Sequence, residues 1–359
     1  MAETMETHHK SITQADVARR AGVSRSVVSY VLNNGPRAVS DETRRRVLDA
    51  ITDLEYRPNE YAQRLKQGNI AAQNAIGIIT GGTGYNLIER PYYNIVLSGL
   101  FDYAYQHNQQ ISFLAYWEAL KDPIFFNKHI HEHEISSLIF ILQSLIPDTK
   151  KDLALLRQIA TRIPCVVCVE ESVLDLPTVT FDRAEAARTA MSHLIRLGHQ
   201  RIAFVAINDQ RVAGHRQALL EYNLPYDERL IAFLEPAAAP GQSSYEAVKR
   251  LIRAEPGFTA VFTATDEAAI GAIAALTDDG LRVPHDVAVA SIDNIEMASM
   301  VRPSLTTVDV PKRMLARSAI QSLTTQKDFP DQQQVSMIVP TKLIVRESCG
   351  ARIGNPQEE

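Results

Sequence analysis

The sequence predicts a small all-α head followed by a larger α/β body. Residues 11–58 carry apolar positions at helical spacing, with one glycine turn between short helices. From residue 75 onward, apolar runs such as AIGIIT, SSLIFIL and RIAFVAI alternate with helical patterns, which indicates parallel sheets covered by helices on both faces. The chain has 359 residues, of which 45% are hydrophobic, so the body is long enough for two cores.

The first two helices of the head are joined by a tight turn. Thr13 followed by Asp16 predicts a capped helix start with an acid in the first turn. Gly22 supplies the left-handed backbone position that ends this helix near Ala21, and Ser24 can cap the next helix. These signals predict a helix-turn-helix arrangement.

The second helix has one apolar face and one polar face. Val27, Val28, Val31 and Leu32 form the apolar stripe. The opposite face presents Arg25, Ser26, Ser29 and Tyr30. A helix of this width fits the major groove of DNA, where such side chains can read base edges, although an ordinary solvated face is the alternative.

A third helix completes the head. Ser40 is a suitable cap, and Asp41 and Glu42 place acids in the first turn. Apolar residues then continue at helical spacing: Val47, Leu48, Ile51 and Leu54. The three arginines 44–46 are expected to contact phosphates or water rather than bases.

A short segment follows the head. In the sequence YRPN, Asn59 can cap a helix of about seven residues that Gly68 ends, which is too short to be stable alone in water. This hinge is therefore expected to fold on binding, with Tyr61 and Leu65 on one side. Leu65 can wedge between base steps in the minor groove.

Charge is unevenly distributed along the chain. The segment from Lys10 to Gly68 has 11 basic and 7 acidic residues, a balance of +4. Because the whole chain carries −5, the remaining residues carry −9. A basic head on an acidic body predicts DNA contact at one end.

The sequence argues against membrane and disulfide-based classes. It contains no apolar run near the roughly eighteen residues of a membrane helix, and its N-terminus does not resemble a signal peptide. The cysteines are only Cys165, Cys168 and Cys349, which indicates a reducing, cytoplasmic compartment. Cys165 and Cys168 lie in the apolar run PCVVCV, so a buried strand is favoured over metal or redox chemistry.

The segment SITQADVARRAGVSRSVVSYVLNNGPRAVSDETRRRVLDAITDLEYRPNEYAQRL resembles the head and hinge of lactose-repressor (LacI) family regulators. The resemblance implies that Arg25, Ser26 and Tyr30 read bases, that Asn59 begins the hinge helix and that Leu65 intercalates. The complete expected DNA-binding set is Thr13, Ser24, Arg25, Ser26, Ser29, Tyr30, Asn33, Asn59, Tyr61, Ala62 and Leu65.

The body resembles the sensor of the same family, through motifs such as HLIRLGHQRIAFV, RVAGHRQAL and RPSLTTVDVP. The resemblance implies two doubly wound parallel-sheet lobes of periplasmic-binding-protein type, with Arg211 and Asp293 at the effector cleft. A guanidinium and a carboxylate can hold sugar hydroxyls while an aromatic side chain covers the ring. The expected effector-binding set is Tyr92, Tyr93, Glu170, Arg211, Thr265 and Asp293. Thr265 stands where the family commonly has asparagine, so a non-sugar effector or none is the alternative.

The expected domain limits follow from these patterns. They are a leader at 1–10, the head at 11–58, the hinge helix and linker at 59–74, the two-lobed body at 75–350 and a tail at 351–359. Lobe 1 is expected at about 75–176 and 308–333, and lobe 2 at about 177–307 and 334–350.

Other functions are less consistent with the sequence. His129, His131 and His133 alternate beside acids, which favours an exposed face over a zinc site, so no metal is expected. GGTGYN matches no phosphate-binding loop, and no GxSxG, HExxH or P-loop lysine indicates an enzyme. A transport-type solute-binding protein would need a secretion signal. The sequence therefore predicts a cofactor-free, homodimeric repressor that binds a pseudo-palindromic DNA operator and a small-molecule effector, with no membrane partner.

Overall fold

The computed structural model describes residues 12–33, 39–56, 74–81, 87–141, 150–171, 176–236, 238–254, 257–329 and 336–351. Their helices are α1 Gln14–Ala21, α2 Arg25–Asn33, α3 Asp41–Asp53, α4 Pro91–Gln106, α5 Pro123–His129, α6 Lys150–Arg162, α7 Arg183–Arg196, α8 Gln210–Glu221, α9 Pro240–Arg253, α10 Asp266–Asp278, α11 Met297–Met300 and α12 Lys312–Asp328. Their strands are β1 Ala75–Thr80, β2 Gln110–Tyr116, β3 Ser137–Ile141, β4 Cys165–Val169, β5 Thr178–Phe181, β6 Ile202–Ala206, β7 Ile231–Phe233, β8 Ala260–Thr263, β9 Ala288–Asp293, β10 Thr306–Asp309, β11 Met337–Val339 and β12 Lys342–Ile344. None of the helices in these ranges is long and apolar enough to cross a membrane.

The head is a bundle of α1, α2 and α3, as predicted. Thr13 and Asp16 form a reciprocal capping box at the start of α1, and Gly22 ends that helix with φ 65°. Val28 and Val47 are fully buried between the helices. Local side-chain-to-backbone bonds thus set the helix ends, and apolar burial holds the helices together.

The body consists of two lobes, each built on one six-stranded sheet. The strand order is β11-β5-β4-β3-β1-β2 in lobe 1 and β12-β10-β9-β8-β6-β7 in lobe 2. All the pairings are parallel except that of β12 with β10. Apart from β4 to β5 and β11 to β12, each strand is joined to the next through a helix, so the predicted two-lobed, doubly wound architecture is confirmed.

The crossings between the lobes lie later in the chain than the sequence suggested. Strand β5 pairs with β4 and β11 in lobe 1, so the first crossing follows Phe181 rather than Leu176. Strand β10 belongs to lobe 2, which places the second crossing after Asp309. Strand β11 belongs to lobe 1, so the third follows Val339. Each strand completes its ladder before the chain leaves the sheet, which moves the boundaries by several residues.

Two close approaches between helices position the cleft. A Cβ atom on Gly214 of α8 would lie 2.0 Å from the carbonyl oxygen of Ala184 on α7. A Cβ atom on Gly99 of α4 would lie 2.8 Å from the Cβ of Ala316 on α12. Because only glycine allows backbones this near, α7 and α8 are held side by side with their first turns adjacent.

Candidate functional site

Charged side chains from both lobes converge where the strands end. Glu170 follows β4 in lobe 1, whereas Asp209 follows β6 and Thr265 follows β8 in lobe 2. Asp293 is the last residue of β9. This is the edge at which open parallel sheets bind ligands, so the cleft between the lobes is the candidate small-molecule site.

Glu170 links the two lobes. Its carboxylate accepts a short hydrogen bond from the Tyr92 hydroxyl and a 2.6 Å bond from Nη2 of Arg183, the first residue of α7. Arg183 Nη1 also donates to the Glu170 backbone oxygen at 3.1 Å. Burial and the neighbouring Glu170 carboxylate raise the pKa of Tyr92 well above its ordinary value, so the hydroxyl remains a donor. Glu170 has φ 82°, a strained position held by these contacts.

Arg211 lies in the first turn of α8 and is only 4% exposed. Its Nη1 donates a short hydrogen bond to Asp209, and its backbone N–H donates to the same carboxylate at 2.9 Å. Its Nε is buried and has no hydrogen-bond partner in the described part of the chain. The guanidinium is 5.9 Å from the ring of Phe181. One donor of this arginine is therefore left for a ligand.

His215 lies one turn after Arg211. Its ring stacks on Phe204 at 4.9 Å between centroids. Burial lowers its pKa to about 4, so this histidine is neutral near pH 7. It adds an apolar wall beside the arginine rather than a second positive charge.

Asp293 is the least satisfied acid of the cleft. It is 3% exposed and has φ 129°. No described residue donates a hydrogen bond to its carboxylate, although Nζ of Lys312 bonds its backbone oxygen. Burial and the nearby Asp266 raise the pKa of Asp293 well above its ordinary value, while Arg211 and Lys312 oppose the rise. The carboxyl group is thus available to hydrogen-bond a ligand.

Asp266 was not identified from the sequence. Its carboxylate accepts hydrogen bonds from the hydroxyl groups of Ser291 and Thr307, the latter at 2.6 Å, and from the backbone N–H of Ile295 at 2.8 Å. Burial raises its pKa to about 6. This carboxylate ties the start of α10 to β9 and β10 and supports the backbone beside Asp293.

A second ion pair between the lobes also escaped sequence reasoning. Arg90, immediately before α4, donates from Nε to Oε2 of Glu267 on α10 at 3.1 Å, and its Nη2 lies 3.0 Å from the same oxygen. The two side chains are 8% and 11% exposed. The only local signal was an arginine directly before a helix-starting proline. Together with the pair of Arg183 and Glu170, this bond spans the cleft.

The remaining predicted effector residues divide into two groups. Tyr92 and Tyr93 are buried in contact with each other, with ring centroids 5.0 Å apart, and Arg90 lies 5.5 Å from the Tyr93 ring. Thr265 caps α10, its hydroxyl accepting from the backbone N–H of Ala268 at 3.2 Å. The tyrosines lie beside Glu170 and Asp293, whereas the Thr265 hydroxyl accepts a bond within its own helix.

The head presents a polar face on α2. Arg25 and Ser26 are exposed, and Ser29 and Tyr30 are half-buried. Ser24 caps the helix by accepting from the backbone N–H of Val27, in addition to the cap that Thr13 forms on α1. The structure describes only the backbone of Asn33. It does not describe the predicted hinge residues Asn59, Tyr61, Ala62 and Leu65.

Of the alternating histidines, His129 ends α5, and His131 and His133 lie in and beside the turn that follows. Possible ligand atoms of His131, Glu132 and His133 lie within 4.8 Å of one another. Nδ1 of His131, however, accepts a hydrogen bond from the backbone N–H of His133 at 3.1 Å. A metal ion on this nitrogen would have to replace that hydrogen bond.

The head and the two-lobed body together define a DNA-binding transcription regulator. The family model described as "Bacterial regulatory proteins, lacI family" matches residues 13–59. A second model, "Periplasmic binding protein-like domain", matches residues 191–349. The chain belongs to the LacI family of transcription regulators.

Curated relatives match nearly the whole chain. The HTH-type transcriptional regulator RegA of Clostridium acetobutylicum is 32% identical, over 93% of this chain and 98% of its own length. The HTH-type transcriptional regulator GalR of Salmonella typhimurium is 30% identical, over 94% and 95%. These curated relatives are transcription regulators.

Solved structures share the same architecture. The complex of the transcriptional regulator CelR with cellobiose is 26% identical, covers 94% of this chain and 99% of its own, and superposes with a TM-score of 0.66. The lac repressor dimer bound to operator and the anti-inducer ONPF is 24% identical, covers 95% and 100%, and gives a TM-score of 0.65.

Proposed function

We propose that a sugar bound between the lobes controls the affinity of this regulator for its operator. The observation that carries the proposal is the buried Arg211 Nε–H, which has no partner among the described residues, in one cleft with the Asp293 carboxyl, which is 3% exposed. A buried polar group without a partner costs free energy, which a ligand recovers by pairing with it. A sugar hydroxyl both donates and accepts, so one sugar can pair with both groups. The cellobiose complex of CelR supports this choice.

A non-sugar effector, or none, is the second candidate. The observation that favours it is that much of the cleft is already paired within the protein, through Arg90 with Glu267 and Arg183 with Glu170. Thr265 likewise uses its hydroxyl for capping. A ligand that replaces none of these bonds would have to fit around Asp293 and Arg211 alone.

We further propose a cytoplasmic homodimer on a pseudo-palindromic operator, with the polar face of α2 in the major groove and the hinge of residues 59–74 in the minor groove. Exposed apolar side chains on the adjacent helices α4 and α12 support the dimer: Phe101, Tyr105 and Met314. A dimer presents two heads with the symmetry of a palindrome. Residues 11–58 then act as the head and residues 75–350 as the sensor.

The test is a fluorescence-anisotropy titration of candidate palindromes at fixed salt, repeated with a panel of neutral sugars. We expect tight binding to one palindrome and a change of roughly fivefold or more with one sugar. Asp293→Asn should weaken the response to that sugar, whereas Glu228→Gln, at an exposed acid of lobe 2, should leave it unchanged. If the protein bound an operator and no sugar changed the affinity, DNA-binding regulation would stand and control by a sugar would be refuted.

A further inference from the structure

The C-terminal end of α3 contacts lobe 1. Nδ2 of Asn127 on α5 donates to the backbone oxygen of Ile51 at 3.4 Å. Nη2 of Arg162, the last residue of α6, pairs with Glu55 at 2.9 Å. Ile124 of α5 packs against the apolar core of the head. Three kinds of contact therefore join the head and the body at one place, in addition to the covalent chain.

The lobe side of this contact is held in place by its own neighbours. Arg162 Nη1 donates to Oδ1 of Asn127 at 3.0 Å, and the guanidinium lies 4.8 Å from the ring of Phe126. Asn127 is 4% exposed. Because both polar side chains are fixed within lobe 1, docking the head requires little additional ordering of the lobe.

The head side of the contact is chemically complementary to it. A helix C-terminus carries a partial negative charge, which an amide N–H and a guanidinium stabilise. The Ile51 oxygen accepts from the Asn127 amide as well as from the backbone N–H of Tyr56. Glu55, just after α3, adds a full negative charge opposite Arg162. The polar face of α2 is not used, since Arg25 and Ser26 remain exposed. Docking through α3 thus leaves this face free for DNA.

We propose that Ile124, Asn127 and Arg162 form a docking surface for the DNA-binding head, which holds it on lobe 1 in an orientation suited to operator binding. The kind of partner it fits is a helix C-terminus followed by an acidic residue, as at Ile51 and Glu55. A movement of lobe 1 then carries the head with it. The docking surface gives the cleft a second mechanical route to the DNA, apart from the segment 57–73.

Hydrogen–deuterium exchange of the full chain without DNA tests the docking directly. Arg162→Glu places two acids opposite each other and should increase exchange at residues 41–56. The combination of Arg162→Glu with Glu55→Arg should restore protection. Arg157→Glu makes the same charge change on an exposed position of α6 and should have no effect. Equal protection of residues 41–56 in the wild type and Arg162→Glu would refute the surface.

Operator titration of the same proteins tests what the docking does. Arg162→Glu should weaken operator binding about three- to tenfold, because an undocked head must be ordered on the DNA. The charge-swapped double variant should bind the operator as tightly as wild type. Arg162→Glu combined with Asp49→Arg adds the same positive charge at an exposed position of the head, and it should not restore the affinity. Unchanged or tighter binding by Arg162→Glu would refute the assigned role.

The docking can also be tested from the head side, at Glu55. Glu55 is 67% exposed, so Glu55→Gln removes the ion pair with little risk to folding if Arg162→Glu is unstable. The exchange experiment needs no DNA. A wild-type protein that binds no operator would contradict the proposed function, while the exchange result would still decide whether the head is docked.

Discussion

At the residue scale, the negative charge of Asp293 is destabilising in the cleft. The side chain is buried beside Asp266, and no described donor reaches its carboxylate. Asp293→Asn removes this charge, so it should raise the free energy of unfolding by about 1 kcal/mol and weaken sugar binding at least tenfold. Urea unfolding and calorimetric titration measure the two effects. A variant with lower stability and unchanged affinity would show that Asp293 is a structural group.

Asp266 makes a pH-dependent contribution to stability. Burial raises its pKa from the ordinary 3.8 to about 6, so the folded protein binds a proton more tightly than the unfolded chain does. Its stabilising contribution is therefore complete below pH 3.8 and is lost as the pH rises through 6. Relative to Asp266→Asn, wild type should lose up to about 3 kcal/mol across this window.

The measurement is urea unfolding of both proteins from about pH 4 to pH 7, in which the contributions of other groups cancel. The ionisations of Asp293 and Asp266 are coupled. Asp293→Asn removes a neighbouring negative charge, so it should lower the pKa of Asp266 and narrow the pH range over which stability is lost. Parallel stability curves for wild type and Asp266→Asn would contradict the raised pKa.

The residues that sequence reasoning missed depend on contacts far apart in the chain. Asp266 bonds Ser291 and Thr307, which lie 25 and 41 positions away. Arg90 and Glu267 are 177 positions apart. No local pattern contains such a pairing. The family resemblance supplied Arg211 and Asp293, but it did not indicate that lobe-to-lobe ion pairs surround them.

At the element scale, the helix ends of the head were predictable because their signals are local. The capping bond between Thr13 and Asp16 spans three residues, and the left-handed turn needs only Gly22. The short strands β5 and β11 were not predictable. Each has three or four residues, and the two pair with each other although they lie about 158 positions apart in the chain. The first and third lobe crossings were misplaced for this reason.

The close contact of α7 with α8 gives a prediction at this scale. Gly214→Ala would place a methyl group 2.0 Å from the Ala184 carbonyl oxygen, so the two helix backbones must separate. We expect a loss of about 2 kcal/mol or more in the free energy of unfolding, with weaker ligand binding because Arg183 and Arg211 begin these helices. Thermal unfolding checks the first effect and ligand titration the second.

The matched control for this substitution is Ala213→Ser on the exposed side of α8. It also adds one heavy atom, but into solvent, and should change stability by less than about 0.5 kcal/mol. Equal stabilities for the two variants would mean that α7 and α8 can separate without cost.

At the scale of the whole molecule, the two lobes are held together by side chains as well as by three chain crossings. One buried ion pair joins Arg90 of lobe 1 to Glu267 of lobe 2, and another joins Glu170 to Arg183. Each acid and base lies at the carboxyl end of a sheet, where a ligand would also bind. The relative position of the lobes is therefore set by the same edge that forms the proposed effector site.

Arg90→Ala should open this edge. The substitution leaves Glu267 buried without its cation, which costs about 3 to 5 kcal/mol if the lobes stay closed. Separation of the lobes lets water reach the carboxylate and avoids most of that cost. Small-angle X-ray scattering of the ligand-free protein should therefore show a larger radius of gyration for Arg90→Ala. Arg90→Met combined with Glu267→Leu removes both charges and keeps the volume, so this double variant should remain as compact as wild type. If it expanded as much as Arg90→Ala, the loss of the ion pair itself, rather than the uncompensated charge, would be what separates the lobes.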